Sequence, residues 1–167
     1  MLTFPKYETY QDSQVSWLNE VPTHWQVEFG KKYLKPKNVK NIGNHIKTVL
    51  SLSYGKIVIK PAEKLHGLVP KSFETYQIVS PGDIIIRAKD LQNARTSLRI
   101  GLVEDHGIIT SAYLCLSPSK QISPRFTYYL LHAYDLLNVY YGMVSGLRQN
   151  LDYTDFSYNG VRADEHL

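Results

Sequence analysis

The sequence predicts an α+β fold: a curled, mostly antiparallel β unit, barrel-like or double β-helix-like, followed by a C-terminal helical hairpin. Between about residues 45 and 117, about seven short apolar segments alternate with turn residues roughly every ten positions, a rhythm typical of an all-β or barrel-like unit. From Ser123-Pro124 onward, apolar residues recur at helical spacing instead. Strands first and helices after favour an α+β arrangement.

The strands are predicted from apolar and β-branched runs that end at turn residues. The candidate strands are Lys47–Ser53, Lys56–Lys60, Tyr76–Val79, Asp83–Ile86, Ser97–Val103, Ile108–Thr110 and Tyr113–Ser117. Upstream of them we predict a short amphipathic helix from Gln26 to about Leu34, which Lys35-Pro36 would end, and then a loop to Asn44.

The helical part has a clear start signal. Ser123 is a preferred N-cap residue, and Pro124 suits the first helical position because it lacks a backbone N–H that a helix would leave unpaired there. We predict a second helical piece over Leu136–Tyr141 that breaks at Gly142. Together these pieces form the predicted hairpin over about residues 123–142.

Length and composition indicate one globular domain over residues 1–167. The chain is 43% hydrophobic and 20% charged, which is typical of a folded protein with its own core. No apolar run approaches the roughly 18 residues that cross a membrane, and the first residues lack the pattern of a signal peptide. Cys115 is the single cysteine and lies in an apolar run, so we expect a buried, inert thiol. These features favour a cytoplasmic protein.

Positive charge is concentrated in one block. Residues 31–71 contain ten lysines and one acid, Glu63, whereas residues 1–30 and residues 150–167 each carry a net charge of −3. A basic block between acidic ends indicates a polyanionic partner such as nucleic acid. The alternative is an ordinary solvated lysine face.

The order of motifs along the chain is more specific than any single motif. Residues 7–25 contain Tyr7, Asp12-Ser13, Trp17-Leu18, Val21-Pro22 and His24-Trp25, in that order. This segment resembles the start of a target recognition domain in the specificity subunit of type I restriction-modification enzymes. Three later segments are similar to the same family in the same order: Ser80–Ile86, Gly107–Tyr113 and Gly146–Leu151 with Asp155-Phe156.

The resemblance implies a binding function without catalytic activity. A domain of this kind binds one half of a split double-stranded DNA target and delivers it to methyltransferase subunits and, through them, to the restriction and translocase subunit. It implies an N-terminal segment at 7–25, a β unit at about 45–117, helices at about 123–142 and a C-terminal segment at 143–167. The chain departs from the family after Phe156, where the long connecting helix is expected and is not found.

Motifs for catalysis are missing from the sequence. It has no Pro-Pro pair for an amino-methyltransferase motif, no Gly-x-Gly-x-x-Gly and no phosphate-binding Gly-rich loop, so we expect no cofactor. A nuclease built on Asp83 would need a second acid where Arg87 stands, and a guanidinium does not ligate a metal. The six histidines are scattered, so we expect no metal and no enzyme activity.

The predicted DNA contacts are basic and amide side chains near loops, because phosphate contacts supply affinity and Arg, Gln and Asn read base edges. They are Lys56, Lys60, Lys64, Lys71, Arg87, Lys89, Gln92, Asn93, Arg95, Arg99, Arg148 and Gln149. The segment from Arg87 to Arg99 is the candidate for base reading, with a solvated hairpin as the alternative. For Arg148 and Gln149, a structural role in closing the domain is the alternative.

One other function remains open at this stage. The chain could be a protein-interaction fragment or half-subunit that pairs through its aromatic helical end, Phe126–Tyr141. For Trp17 and Trp25 we predict a structural role, in which they pin the N-terminal segment to the domain. The sequence does not specify the DNA target, since no simple code links such loops to bases.

Overall fold

The computed structural model describes most of the chain and contains short strands, three α-helices and two 3-10 turns among the described residues. The described residues are 5–15, 17–61, 72–89, 91, 98–143, 150–157 and, for the backbone alone, 161–162. The strands are β1 (Tyr10–Asp12), β2 (Glu20–Pro22), β3 (Gln26–Val27), β4 (Leu34–Lys37), β5 (Val39–Lys40), β6 (Leu50–Ser53), β7 (Lys56–Ile59), β8 (Gln77–Val79), β9 (Ile84–Ile86), β10 (Ile100–Leu102), β11 (Gly107–Ile109), β12 (Leu114–Pro118) and β13 (Val161–Arg162).

The strands of the described part pair antiparallel in five small sheets. The largest has the order β10-β9-β12-β4, and a second has the order β11-β8-β5. The pairs β1-β2, β3-β13 and β6-β7 form two-stranded sheets. A single parallel bridge joins Val49 to Ile108. The mostly antiparallel β unit is therefore confirmed, but these sheets do not close into a barrel.

The four-stranded sheet is buried on both faces, which explains the run of three isoleucines in β9. Successive side chains of a strand point to opposite faces. Ile84 and Ile86 pack with the helical residues Leu131 and Tyr134, while Ile85 packs into a second cluster. That second cluster contains Leu50, Val79, Val103, Ile109 and Cys115. The sheet thus separates the cluster that includes the helical residues from the second cluster.

Burial makes the only cysteine of the chain inert, as expected. Cys115 is 1% exposed and lies opposite Ile85 in the register of β12 with β9. Desolvation raises the pKa of its thiol to about 12, so the reactive thiolate is scarcely populated at neutral pH.

The helices follow the strands, as predicted, but the hairpin is confirmed only in part. Helix α1 (Pro124–Leu136) begins where expected, and the side chain of Ser123 accepts a hydrogen bond from the backbone N–H of Phe126. Helix α2 (Val139–Met143) is only five residues long. The chain reverses at Asn138, whose φ of 59° ends the helical path of α1. A third short helix, α3 (Tyr153–Ser157), follows.

The prediction of a helix over Gln26–Leu34 was wrong. Gln26–Val27 instead pair with β13, and a 3-10 turn at Gly30–Lys32 leads into β4. Pro36 is compatible with β4 because this strand lies at the edge of its sheet, where a missing N–H breaks no ladder. The predicted loop that follows contains β5 and a 3-10 turn at Ile42–Asn44.

No helix among the described residues combines the length and apolar character that a membrane span requires.

Candidate nucleic-acid interface

The lysine block places two of the predicted contacts on one strand. Lys56 and Lys60 lie at the start and just after the end of β7, and both are exposed. The other two predicted lysines of the block, Lys64 and Lys71, lie outside the described residues. Strand β7 pairs only with β6 among the described strands, so the two form a separate two-stranded ribbon.

A tight turn of two residues connects the strands of this ribbon. Ser53 pairs with Lys56, which leaves Tyr54 and Gly55 as the loop. Their φ values are 47° and 76°, as a type I′ turn requires at both positions. The ribbon is therefore a tight β-hairpin with Tyr54 at its tip, where the residue is 87% exposed.

The ribbon is attached firmly to the domain. The Tyr128 hydroxyl on α1 donates a hydrogen bond to the Gly55 carbonyl at 3.1 Å. The ribbon also lies against β10 at Gly101, where an added Cβ would come within 2.7 Å of the Leu52 and Ile57 side chains. Just before β6, the Ile108 N–H of β11 donates to the Thr48 carbonyl at 2.8 Å. These contacts hold the ribbon and the Gly55 side of its turn against the domain, while the Tyr54 side chain remains exposed.

A cleft of about 330 Å³ lies between the ribbon and α1. Lys56, Arg125, Tyr128 and Tyr129 are among its lining residues, together with Glu104. Arg125 is an exposed cation that the sequence analysis missed. Arg125 lies in the first turn of α1, where the helix macrodipole disfavours a positive charge. This unfavourable position is the sequence signal by which Arg125 could have been chosen as a candidate contact.

The segment chosen for base reading is only partly described. Arg87 is half-buried and Lys89 is exposed, whereas Gln92, Asn93 and Arg95 lie outside the described residues. Lys89 lines a different cleft from Lys56, with a volume of about 340 Å³. Lys37, Asn38 and Ser111 line it too. The predicted contacts on described residues thus lie in two separate areas.

The expectation that Arg99 contacts DNA is corrected by the structure. Arg99 is 0% exposed, and its side chain lies inside the domain. Nη1 donates to the carbonyls of Arg87 and Lys89, at 3.1 and 2.8 Å, and Nη2 donates to that of Leu91 at 3.2 Å. The guanidinium is thus committed to backbone carbonyls, and its five donors suit this work better than an ammonium would.

The Ser80–Asp83 motif forms a structural turn. The Asp83 N–H donates to the Ser80 carbonyl at 3.0 Å, and Gly82 has a φ of 94°, which fits a type II turn with Pro81 before the glycine. The Asp83 carboxylate is buried; it accepts from the Ser80 N–H at 2.9 Å and pairs with Lys37 at 2.5 Å. Asp83 therefore has a structural role.

The described residues offer no site for a metal. No group of three or more His, Cys, Asp or Glu side chains within this part of the chain is arranged to hold an ion.

The Ser-Ala-Tyr turn is held by a buried amide and a lysine. Gln77, which is 2% exposed, donates to the carbonyls of Thr110 and Tyr113 at 3.1 and 2.8 Å. The Ser111 hydroxyl donates to the Thr75 carbonyl at 2.6 Å and accepts from Lys40 at 2.7 Å. The motif therefore closes the loop between β11 and β12.

The N-terminal segment is packed on α1, in agreement with the predicted structural role of its tryptophans. The ring centroids of Trp17 and Tyr134 are 4.5 Å apart, and those of Trp25 and Phe126 are 5.7 Å apart, both with edge-to-face geometry. Strands β1 and β2 form a hairpin with Trp17 in its connecting loop, and Trp25 follows β2. The segment thus holds one side of α1.

The C-terminal segment returns to the N-terminal part of the domain. Arg148 and Gln149 lie outside the described residues. The Leu151 N–H donates to the Ala88 carbonyl at 2.8 Å, and the Tyr153 hydroxyl donates to the Leu34 carbonyl at 2.9 Å. Strand β13 then pairs with β3. These contacts favour a closing role for the described residues of the segment.

Two solved structures share this fold. One, from work on complex assembly and conformational transition of the type I R-M system, has a TM-score of 0.56 and 16% identity, and the match covers 84% of this chain and 38% of that chain. The other, the HsdS subunit from Thermoanaerobacter tengcongensis, has a TM-score of 0.51 and 11% identity, with 92% and 35% covered.

These likenesses confirm the resemblance at the level of the fold. This chain spans little more than a third of the length of either structure. No protein-family model matches the chain, and no curated protein matches it in sequence. The fold is therefore the one found in type I specificity subunits.

Proposed function

We propose that this chain is a target recognition domain that binds one half of a bipartite double-stranded DNA target, as part of a type I restriction-modification specificity subunit. The observation that carries the proposal is the shared fold over 84% and 92% of the chain with two type I structures, one of them an HsdS subunit. The order of sequence motifs along the same residues supports it independently.

The described surface supports a polyanionic ligand. Lys56, Lys60 and Lys89 are exposed, and Arg125 extends the basic area beside the ribbon. Lysine and arginine side chains in such positions neutralise phosphates and release counterions, which supplies most of the affinity for DNA. The proposed contacts on described residues are Lys56, Lys60, Arg87 and Lys89, and Lys64, Lys71, Gln92, Asn93, Arg95, Arg148 and Gln149 complete the set.

The proposal includes no chemistry in the domain itself. The domain selects the site in the cytoplasm, and methyltransferase subunits, with the restriction subunit bound through them, act on the DNA. The carboxylate that a nuclease would use, Asp83, is buried and paired with Lys37, which supports this assignment. The chain would therefore act as a DNA-binding component without a cofactor.

The test is DNA binding by the 167-residue chain across a range of salt concentrations. We expect duplex binding at about 50 mM salt, with an affinity that falls steeply toward 200 mM. Selection from a random duplex pool, with and without the partner methyltransferase, should then enrich one short sequence. A chain that binds no duplex at low salt, alone or with its partner, would contradict the proposal.

A second candidate function rests on the outer surface of α1. Tyr129 and Leu136 of α1 and Leu137 directly after it are 61%, 60% and 71% exposed, so this end of the domain presents large apolar side chains to solvent. Such a surface favours a protein-interaction role, in which the chain pairs through its helical end. Light scattering after size exclusion distinguishes the two: self-association that Leu136→Ser with Leu137→Ser abolishes, without DNA binding, would favour this second function.

A further inference from the structure

Tyr54, in the turn of the β6-β7 ribbon, has an unfavourable backbone conformation and exposes a large aromatic side chain to solvent. A type I′ turn prefers Asn, Asp or Gly at its first position because φ is positive there. Tyr54 occupies that position with a φ of 47°, and its large side chain is 87% exposed. A bulky residue with positive φ is an outlier, and such outliers are concentrated at functional sites.

The outer face of the ribbon is small and polar. Because Leu50 and Leu52 face the domain, the alternate positions Ser51 and Ser53 face outward, paired with Val58 and Lys56. Two hydroxyls, one ammonium and one apolar side chain thus lie behind the tip. Such a face can donate to base edges, accept from them and contact a thymine methyl group.

The ribbon has the shape and charge to fit DNA. The major groove is about 12 Å wide and admits a two-stranded β-ribbon. Lys56 and Lys60 lie at the start and just after the end of β7, and Arg125 lines the neighbouring cleft together with Glu104, so three cations lie on and beside the ribbon. The hydrogen bond from Tyr128 to Gly55 and the close packing at Gly101 hold the ribbon in place before binding.

We propose that the β6-β7 ribbon enters the major groove of duplex DNA and that Tyr54 contacts base edges there, while Lys56 and Lys60 contact phosphates. The inference rests on the proposed function and deepens it, because it assigns base reading to a second element besides the segment from Arg87 to Arg99. The occupant is duplex DNA; contact with a second copy of the chain is an outcome that the test distinguishes.

The test compares Tyr54→Asn and Tyr54→Phe with the wild-type chain. Asn accepts a positive φ more readily than Tyr, so Tyr54→Asn should fold at least as well and show a Tm no lower than wild type. We expect it to bind unselected duplex within about 2-fold of wild type and to lose about 10-fold or more of the preference for the selected sequence at one or two adjacent base pairs. Tyr54→Phe separates contact through the ring from a hydrogen bond through the hydroxyl.

The control is Ile42→Asn, which replaces another highly exposed apolar side chain (76% exposed) beside a different sheet. We expect it to leave both Tm and sequence preference unchanged. Photo-crosslinking of the selected duplex, with iodouracil in place of thymine, should yield a peptide that contains Tyr54.

The outcomes separate the inference from the function on which it rests. If wild type binds no duplex, the proposed function fails and the inference fails with it. If wild type selects a sequence and Tyr54→Asn selects the same one with equal preference, only the inference is overturned. Equal loss of affinity for all duplexes, or a change in self-association by light scattering without a change in preference, would also overturn base reading by Tyr54.

Discussion

The backbone N–H of Arg99 donates a hydrogen bond to the carboxylate of Asp135 at 2.7 Å, which ties the strand side of the domain to the last turn of α1. The side chains also approach each other, with Nε of Arg99 4.0 Å from Oδ1 of Asp135. A carboxylate near a helix C-terminus is disfavoured by the macrodipole. The contact with Arg99 compensates for this unfavourable position of Asp135. It also places the charged Arg99–Asp135 pair in the interior of the domain.

Replacement of Arg99 should destabilise the fold strongly. Arg99→Met removes donors from three carbonyls and leaves Asp135 without its cation, so we expect a loss of about 3–5 kcal/mol in the free energy of unfolding. Urea denaturation measures it. Arg125→Met, at an exposed arginine, is the control and should change the value by less than about 0.5 kcal/mol. Equal effects of the two variants would contradict the structural role of Arg99.

The stability difference between wild type and Asp135→Asn should depend on pH. Burial raises the pKa of the Asp135 carboxyl above its ordinary value of 3.8, although the Arg99 N–H and charge oppose the shift. The folded state therefore binds this proton more tightly than the unfolded state does. The stability from this linkage is present below the unfolded pKa and is lost as the pH rises through the folded pKa.

We therefore expect wild type to gain stability relative to Asp135→Asn as the pH falls from 7 toward 4, measured by urea denaturation at each pH. Asp105→Asn, at an exposed acid, serves as control. A difference that stays constant with pH, or that moves against wild type on acidification, would refute the assignment.

Loss of Trp17 should weaken the attachment of the N-terminal segment to α1. Trp17→Ala removes the ring that packs on Tyr134, and we expect a destabilisation of about 3 kcal/mol with DNA binding by the folded protein unchanged. Trp17→Phe should recover part of the loss. The matched control is Phe29→Ala, at a ring that is 56% exposed, where a small effect is expected. Chemical denaturation and a binding titration provide both readouts.

Neutralising the ribbon lysines should reduce the salt dependence of DNA binding. Each phosphate contact contributes about 0.9 to the slope of log K against log salt concentration, so Lys56→Gln with Lys60→Gln should reduce the slope by about 2. Sequence preference should remain, because phosphate contacts carry no base information. Lys120→Gln, at an exposed lysine in the turn before α1, is the control. An unchanged slope would remove these two lysines from the interface.

Two glycines should respond to alanine in opposite directions. A Cβ at Gly107 would lie 2.7 Å from the Thr48 carbonyl oxygen, so Gly107→Ala should cost about 1–3 kcal/mol. Gly142 lies in α2 with nothing within 4 Å of an added Cβ, so Gly142→Ala should stabilise by about 0.4–1 kcal/mol. Thermal denaturation of both variants tests the packing of β11 and the helical state of Gly142 together.

Structural features that depend only on residues close together in the sequence could be predicted from it. Ser123 and Pro124 specify the start of α1 because a cap and a fixed φ act within one turn. Pro81 and Gly82 act within four residues in the same way and favour the turn at Ser80–Asp83. The burial of Cys115 also followed from its apolar neighbours. Arg125 was missed, although its unfavourable place at a helix N-terminus was visible.

Local sequence pattern was enough to predict the β unit before the main helix, the start of α1, the concentration of lysine in one block and the family resemblance. The strand at Gln26–Val27 depends on long-range pairing, because its partner Val161–Arg162 lies more than 130 residues later in the sequence. The tertiary structure also decided that Arg99 is interior, since its partner Asp135 comes from a helix 36 residues later. Pairing between distant segments follows from the packing of the whole chain, and local pattern does not encode it.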